Sequence, residues 1–204
     1  GSGLLNAIQL IDGYLLSGTA KFGMVVAGDS NPRPGLEEGY DIDPLGAAVL
    51  LEPGEENTGF VKFKTDTYLQ YKDDFTAKSK FAPRGGKKTH ILMMKQSKDY
   101  LKKCVDCSVR SFKAFLKEAG IKQSDIDLVI ASQSPKGLID AFAKKTGLGK
   151  KVVDVSNTFG NLHTAGPVAA LSEAYDNGSF KKAKNTLFLT VGSGITVSIA
   201  LYKN

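Results

Sequence analysis

Residues 130–148, IASQSPKGLIDAFAKKTGL, end an apolar run on Ser132-Gln133-Ser134-Pro135 and then begin an amphipathic pattern. Strand ends in open α/β sheets are where ligands bind, because the helix that follows turns its unpaired N–H groups and positive dipole end into the same crevice. Two readings of this junction stand side by side: Ser132 is a site residue, or Ser134-Pro135 caps and starts the helix with proline in its first turn. The only cysteines, Cys104 and Cys107, form a CxxC inside DYLKKCVDCSVRSFKAFLKEAG, where apolar residues recur at helical spacing. A redox CxxC sits at a strand-to-helix turn, and a zinc site needs more ligands than two thiols, so this pair reads as structural. Gly192-Ser193-Gly194 joins two apolar runs in NTLFLTVGSGITVSIALYK. Such a hairpin-like turn lets backbone approach a ligand closely.

The elements that must hold these positions follow from periodicity. GLLNAIQLIDGYLLSG places Leu4, Ile8, Ile11 and Leu15 on one helical face, with Gly18 as a stop. FGMVVAGDS (22–30) and GAAVLLEPG (46–54) read as short strands, GFVKFKTDTYLQY (59–71) as a strand with one wet face, and NPRPGLEEGYDIDPL as a loop. The polar, basic stretch 72–90 reads as a connector between two halves or a mobile flap. Beyond it the expected order is helix (about 97–119), strand (127–132), helix (136–146), strand (151–155), helix (164–177) and a closing strand pair (186–192 and 195–202). Alternation of this kind defines an α/β fold with a layered, mixed sheet. Each half runs from a helix into paired apolar strands, which reads as a duplicated unit. Because no strand precedes the helix at residue 4, the chain reads as the back two-thirds of a larger domain, divided as 1–88 and 89–204.

Composition bounds the rest. With 204 residues the chain suits one sizeable domain or two small ones sharing a core, and 42% hydrophobic with 24% charged residues is ordinary for a globular protein. Gly1-Ser2 reads as a cloning remnant rather than a targeting peptide, no apolar run is long enough to cross a bilayer, and the cysteine usage fits a reducing, cytoplasmic compartment. The net charge of +6 is spread over many elements without an interleaved aromatic platform, which argues against nucleic acid. A basic surface equally attracts an acidic protein or a phosphorylated cofactor.

Several segments together resemble the 3-oxoacyl-acyl-carrier-protein synthase III family of the thiolase fold. SQSPKGLIDAFAKKTGL lies over the family's His-Gln-Ala-Asn segment and helix, VVDVSNTFGNLHTAGPVAALSEAYDNG resembles its Tyr-Gly-Asn-Thr segment and helix, and VGSGITVSIAL resembles its closing hairpin. The resemblance implies a layered αβαβα fold with its N-terminal portion missing. In that family a cysteine at a buried helix N-terminus attacks an acyl thioester, and His and Asn assist decarboxylation and carbon–carbon bond formation. Carried over, the nucleophile falls on Gly1, the histidine on Ser132 and the asparagine on Asn161. Serine has neither imidazole's near-neutral pKa nor its second nitrogen, so the expectation leans from condensation toward simple acyl transfer. His163 is a substitute base or a packing residue, and His90 a surface residue in the basic stretch. Gly192, Ser193 and Gly194 are expected to supply an oxyanion-hole N–H.

The resemblance further places Gln96, Ser97 and Tyr100 beside a pantetheine arm, with Gln96-Ser97 standing where the family has Gly-Asn. It gives Lys136 a phosphate to bind, next to Gly137 at the family's arginine position. It implies an acyltransferase or β-ketoacyl synthase handling acyl thioesters of coenzyme A or an acyl carrier protein in fatty-acid or polyketide-type biosynthesis. Coenzyme A or phosphopantetheine is then substrate, with no permanently bound cofactor and no metal. Expected partners are the acyl carrier, a missing N-terminal segment or another chain completing the fold, and a second copy in the full-length protein. The absent thiol and Ser132 equally fit a non-catalytic partner subunit or scaffold with the ketosynthase fold.

Overall fold

The computed structural model of the chain describes residues 2–32, 34–84 and 87–204, the side chains of 82–88 excepted. The order of elements is α1 (Gly3–Leu16), β1 (Gly23–Asp29), β2 (Glu37–Glu38), β3 (Leu45–Leu51), β4 (Gly59–Tyr71), β5 (Phe75–Arg84), β6 (Lys87–Gln96) and α2 (Tyr100–Ala119). It continues with β7 (Leu128–Ala131), α3 (Leu138–Thr146), α4 (Ser156–Phe159), α5 (Gly166–Asp176), α6 (Ser179–Lys182), β8 (Asn185–Gly192) and β9 (Gly194–Lys203).

The main sheet has the order β4-β9-β8-β7, antiparallel except for the β7–β8 pair. Every residue of β7 is buried, as expected of a strand covered on both faces. Alternate residues serve opposite cores. Val129, Ala131, Leu187 and Leu189 pack with Cys104, Phe112 and Phe115 of α2 and Phe142 of α3. Leu128, Ile130 and Phe188 pack with Leu4, Leu5 and Ile8 of α1 and Val168, Ala169 and Ala170 of α5. The antiparallel β1–β3 pair lies on the far side of α1 and α5, contributing Val25 and, half-buried, Ala47, Val49 and Leu51. The layers therefore run helix, sheet, helix, sheet, and the outer face of β1–β3 carries exposed Met24, Val26 and Leu50. β4 pairs with β9, and position 88/89 falls inside β6.

Three sequence expectations change. Residues 75–84 and 87–96 are not a connector or flap but a long antiparallel strand pair, β5–β6, extended by the short parallel β2. Lys78 and Lys80 alternate along β5 and are exposed, so the strand pattern is masked by polarity. Residues 151–155 form no strand, only a single bridge from Val152 to Val129. The backbone groups that a ladder would use there are taken by Gln133, whose Nε2 donates to Val153 O (3.2 Å) and whose Oε1 accepts from Val155 N–H (3.1 Å). Ser134-Pro135 does not cap α3: that helix begins at Leu138 behind Gly137, which sits at φ +86° and makes no side-chain cap. The CxxC lies within α2 with both cysteines buried and not joined in a disulfide.

Candidate functional site

The ends of β6 and α2, the β7–α3 turn and the α4–α5 loop meet around a cleft of about 380 Å³. Gln96, Ser97, Ser134, Lys136, Asn161 and His163 all line it, with Lys95 and Lys98 on the same rim. The turn into α2 is set by backbone bonds: Ser97 N–H donates to Asp74 O (2.7 Å) and Tyr100 N–H to Ser97 O (3.1 Å). Lys103 of α2 then pairs with Asp74 at 2.7 Å, holding the hairpin base against the helix.

Asn161 is fixed by the loop before β3. Its backbone N–H donates to Asp43 Oδ2 (2.7 Å), its carbonyl accepts from Asp43 N–H (3.1 Å), and its Nδ2 donates to Asp41 O. Its Oδ1 is buried without a hydrogen-bond partner among the described residues. Gly160 is required here: φ is +77°, and a Cβ would lie 2.1 Å from Asp43 Oδ2.

His163, two residues on, is paired with a carboxylate. Its Nδ1 lies 3.4 Å from Asp29 Oδ1 and 3.1 Å from Thr164 Oγ1, while Thr164 N–H donates to Asp29 Oδ2 at 2.8 Å. Burial pushes Asp29 up, but the Thr164 and His163 interactions outweigh it and hold the carboxyl below its ordinary range. Burial also lowers the pKa of His163, against the opposing pull of Asp29, so the imidazole is neutral at neutral pH.

Ser132 is elsewhere. It is 2% exposed and does not line this cleft. Its N–H donates to Leu189 O, and its Oγ accepts from Val191 N–H, both at 2.9 Å, so the side chain extends the β7–β8 ladder by one bond. That bond places Ser132 beside the strand end leading to Gly192. Gly192 is in turn where α1 begins, since a Cβ on it would lie 2.9 Å from Ser2 N. Ser193 is exposed, and Gly194 has φ +125°. Gly1, the position that the resemblance gives to the nucleophile, lies outside the described residues. Tyr100 packs in the core against Phe75, 5.5 Å between ring centroids, and burial pushes its phenol far up. Lys136, in contrast, is exposed at the rim of the cleft, beside exposed Gly137.

Two sets of residues thus come together: Gln96, Ser97, Lys136, Asn161 and His163 in the cleft, and Ser132 with Gly192 behind it at the strand ends. Sequence reasoning missed Gln133 and Asp29. Gln133 is buried and makes three backbone hydrogen bonds, and a Cβ on Gly166 would meet its Cγ at 2.9 Å. Among the described residues no cluster of three or more His, Cys, Asp or Glu side chains is arranged to hold a metal.

This order of layers is that of the thiolase-like fold. Solved structures share it: β-ketoacyl-acyl-carrier-protein synthase III from Thermus thermophilus superposes with a TM-score of 0.78 at 22% identity, covering 98% of this chain and 64% of the other. A Xanthomonas campestris OleA variant with bound lauric acid and lauroyl-CoA gives 0.78 at 17% identity, covering 98% and 63%. Within that class the sequence similarities are to synthase III proteins. Residues 116–204 match the family described as 3-Oxoacyl-[acyl-carrier-protein (ACP)] synthase III C terminal. The chain is 27% identical over 213 residues to the β-ketoacyl-acyl-carrier-protein synthase III of Chelativorans sp. strain BNC1, and 26% identical over 210 residues to that of Aquifex aeolicus. It is covered to 99% in both comparisons but spans only 65% and 64% of those relatives' lengths.

Proposed function

We propose that this protein binds acyl thioesters of coenzyme A or an acyl carrier protein and transfers their acyl groups, as part of fatty-acid or polyketide-type biosynthesis. The observation that carries the reading is the meeting of Gln96, Ser97, Lys136 and Asn161, drawn from three separate segments, around one cleft with a lysine rim. Lysine ammoniums attract phosphates as point charges, and a cleft between helix and strand ends suits an extended pantetheine arm. The donor is substrate, so no resident cofactor is required. An N-terminal segment or another chain covering the open face of β1–β3 would complete the layers, and the full-length protein is read as a homodimer in the cytoplasm.

A second reading, a non-catalytic partner subunit with the ketosynthase fold, is favoured by one observation: the Ser132 hydroxyl oxygen is committed to Val191 N–H and the Asn161 amide nitrogen to Asp41 O. Titration calorimetry of the chain with acetyl-CoA and octanoyl-CoA tests the first reading. Binding is expected, weakened about tenfold or more by Lys136→Glu, because reversing one charge beside a phosphate removes an attraction and adds a repulsion. Intact-mass measurement on the same mixtures should show no acyl adduct on Cys104 or Cys107, whose thiols burial pushes up to about 12 and about 11. Absence of binding, or an adduct on either cysteine, would displace this site.

A further inference from the structure

If the cleft transfers acyl groups, something in it must take a proton from the acceptor, and Ser132 does not line it. We propose that His163, oriented by Asp29, is the acid–base group of the cleft. The inference rests on the acyl-thioester reading above and adds the residue that makes transfer possible.

The two residues come from distant parts of the chain, Asp29 from the end of β1 and His163 from the α4–α5 loop, and are held together by three contacts. Asp29 Oδ1 faces His163 Nδ1 at 3.4 Å, Asp29 Oδ2 accepts Thr164 N–H at 2.8 Å, and Thr164 Oγ1 is 3.1 Å from the same Nδ1. A carboxylate beside Nδ1 selects the tautomer with its proton there, which puts the basic lone pair on Nε2. The ring lines the cleft together with Asn161 and Lys136, and its side chain is 36% exposed while that of Asp29 is 19% exposed. A half-buried carboxylate behind a more exposed imidazole is the arrangement by which a base is both oriented and stabilised when it becomes charged. The other histidine, His90, bonds to Ser79 on the exposed hairpin and lies in neither group of site residues.

In the step assigned to this pair, an acceptor hydroxyl or amine gives its proton to His163 Nε2 while its oxygen or nitrogen bonds to the thioester carbonyl carbon. The tetrahedral intermediate then breaks its C–S bond, and the departing thiolate takes the proton from the imidazolium. Nothing is oxidised or reduced, and the base returns to its starting state.

The test is thiol release from acetyl-CoA by the 204-residue chain with hydroxylamine as acceptor, alongside calorimetric binding of acetyl-CoA. His163→Ala should lower kcat by about 10²–10⁴-fold, the usual worth of a positioned acid–base group, with KM little changed, and added imidazole should restore part of the rate. Asp29→Asn, which keeps a carbonyl oxygen able to accept Thr164 N–H but removes the charge facing His163, should lower kcat without moving KM, and His90→Ala should leave the rate as it was. His163→Gln, checked for native circular dichroism, repeats the comparison if the alanine variant unfolds. Equal rates in wild type and a folded His163 variant, loss without rescue by imidazole, or no release by a chain that binds acetyl-CoA would each overturn the assignment. Failure to bind acetyl-CoA would instead remove the acyl-thioester reading itself, and this step with it.

Discussion

Ser132 shows how the same position can be read for chemistry and built for structure. Its place at a strand end, where relatives are expected to carry histidine, marks it as a site residue, yet its hydroxyl oxygen is the acceptor for Val191 N–H in an interior where it is 2% exposed. Removing one partner of a buried hydrogen bond leaves the other unsatisfied, which costs about 1–3 kcal/mol. Ser132→Ala is therefore expected to lower the unfolding free energy by that amount, read as a lower urea midpoint at unchanged m-value, while acetyl-CoA affinity stays close to wild type. A variant of unaltered stability that had lost ligand binding would mean that Ser132 touches the ligand after all. His163 is the contrasting case. Its place two residues after Asn161 offers it as a substitute base or a packing residue without deciding between them, because its partner Asp29 is 134 positions away and no spacing rule connects the two.

At the level of elements, Gln133 joins what the ladder does not. The segment after α3 returns to the sheet edge with one bridge only, and a glutamine side chain makes up the deficit by bonding Ala131 O, Val153 O and Val155 N–H. Each such bond contributes about 1 kcal/mol net, and the orphaned Val155 N–H would add its own penalty. Gln133→Leu, close in volume, is expected to cost about 3 kcal/mol and to raise the hydrogen-exchange rate of the Val155 amide selectively. Uniform acceleration across β7 and β8 would instead locate the damage in the sheet. These two features also show where the sequence stops being readable. The helices α1, α2 and α5 and the strands β1, β3 and β4 were legible because each has an apolar face repeating at its own period, and β8 and β9 because they are continuous apolar runs broken at Gly192-Ser193-Gly194. The β5–β6 hairpin was not, since a two-stranded ribbon with lysines along it has little apolar face to betray it. Residues 151–155 looked like a strand because Val152, Val153 and Val155 favour one, but beyond the single bridge to β7 their backbone groups bond to the Gln133 amide rather than to a ladder. Of the cleft, Asn161 and Lys136 were reachable only through resemblance to known relatives, and the Asp29–His163 pair only through coordinates.

For the molecule as a whole, the layers end on a sheet. The main sheet is covered by α2 and α3 on one side and by α1 and α5 on the other, but β1 and β3 turn Met24, Val26 and Leu50 outward at 62%, 69% and 66% exposure. Pairing brings two of them together, since Met24 lies opposite Leu50 and Val26 opposite Ala48, so the exposed residues form one continuous patch rather than scattered positions. Phe22, just before β1, is exposed at 62% and widens the apolar surface at that end. Contiguous apolar surface of this sort is uncommon on a monomer that stays alone in solution. The 204-residue chain should accordingly bind the dye ANS at native pH without loss of near-ultraviolet dichroism, and its sedimentation should depend on concentration. Val26→Lys combined with Leu50→Lys should abolish both effects. The outward side chains contribute little to the core, so the melting temperature should shift by only a few degrees, as expected for a change worth less than about 1 kcal/mol in a protein of this size. Retained ANS binding in that double variant would move the exposed surface to the α1 face carrying Leu10 and Tyr14. Collapse of the fold would show that the β1–β3 sheet needs its outer side chains for more than contact with a covering layer.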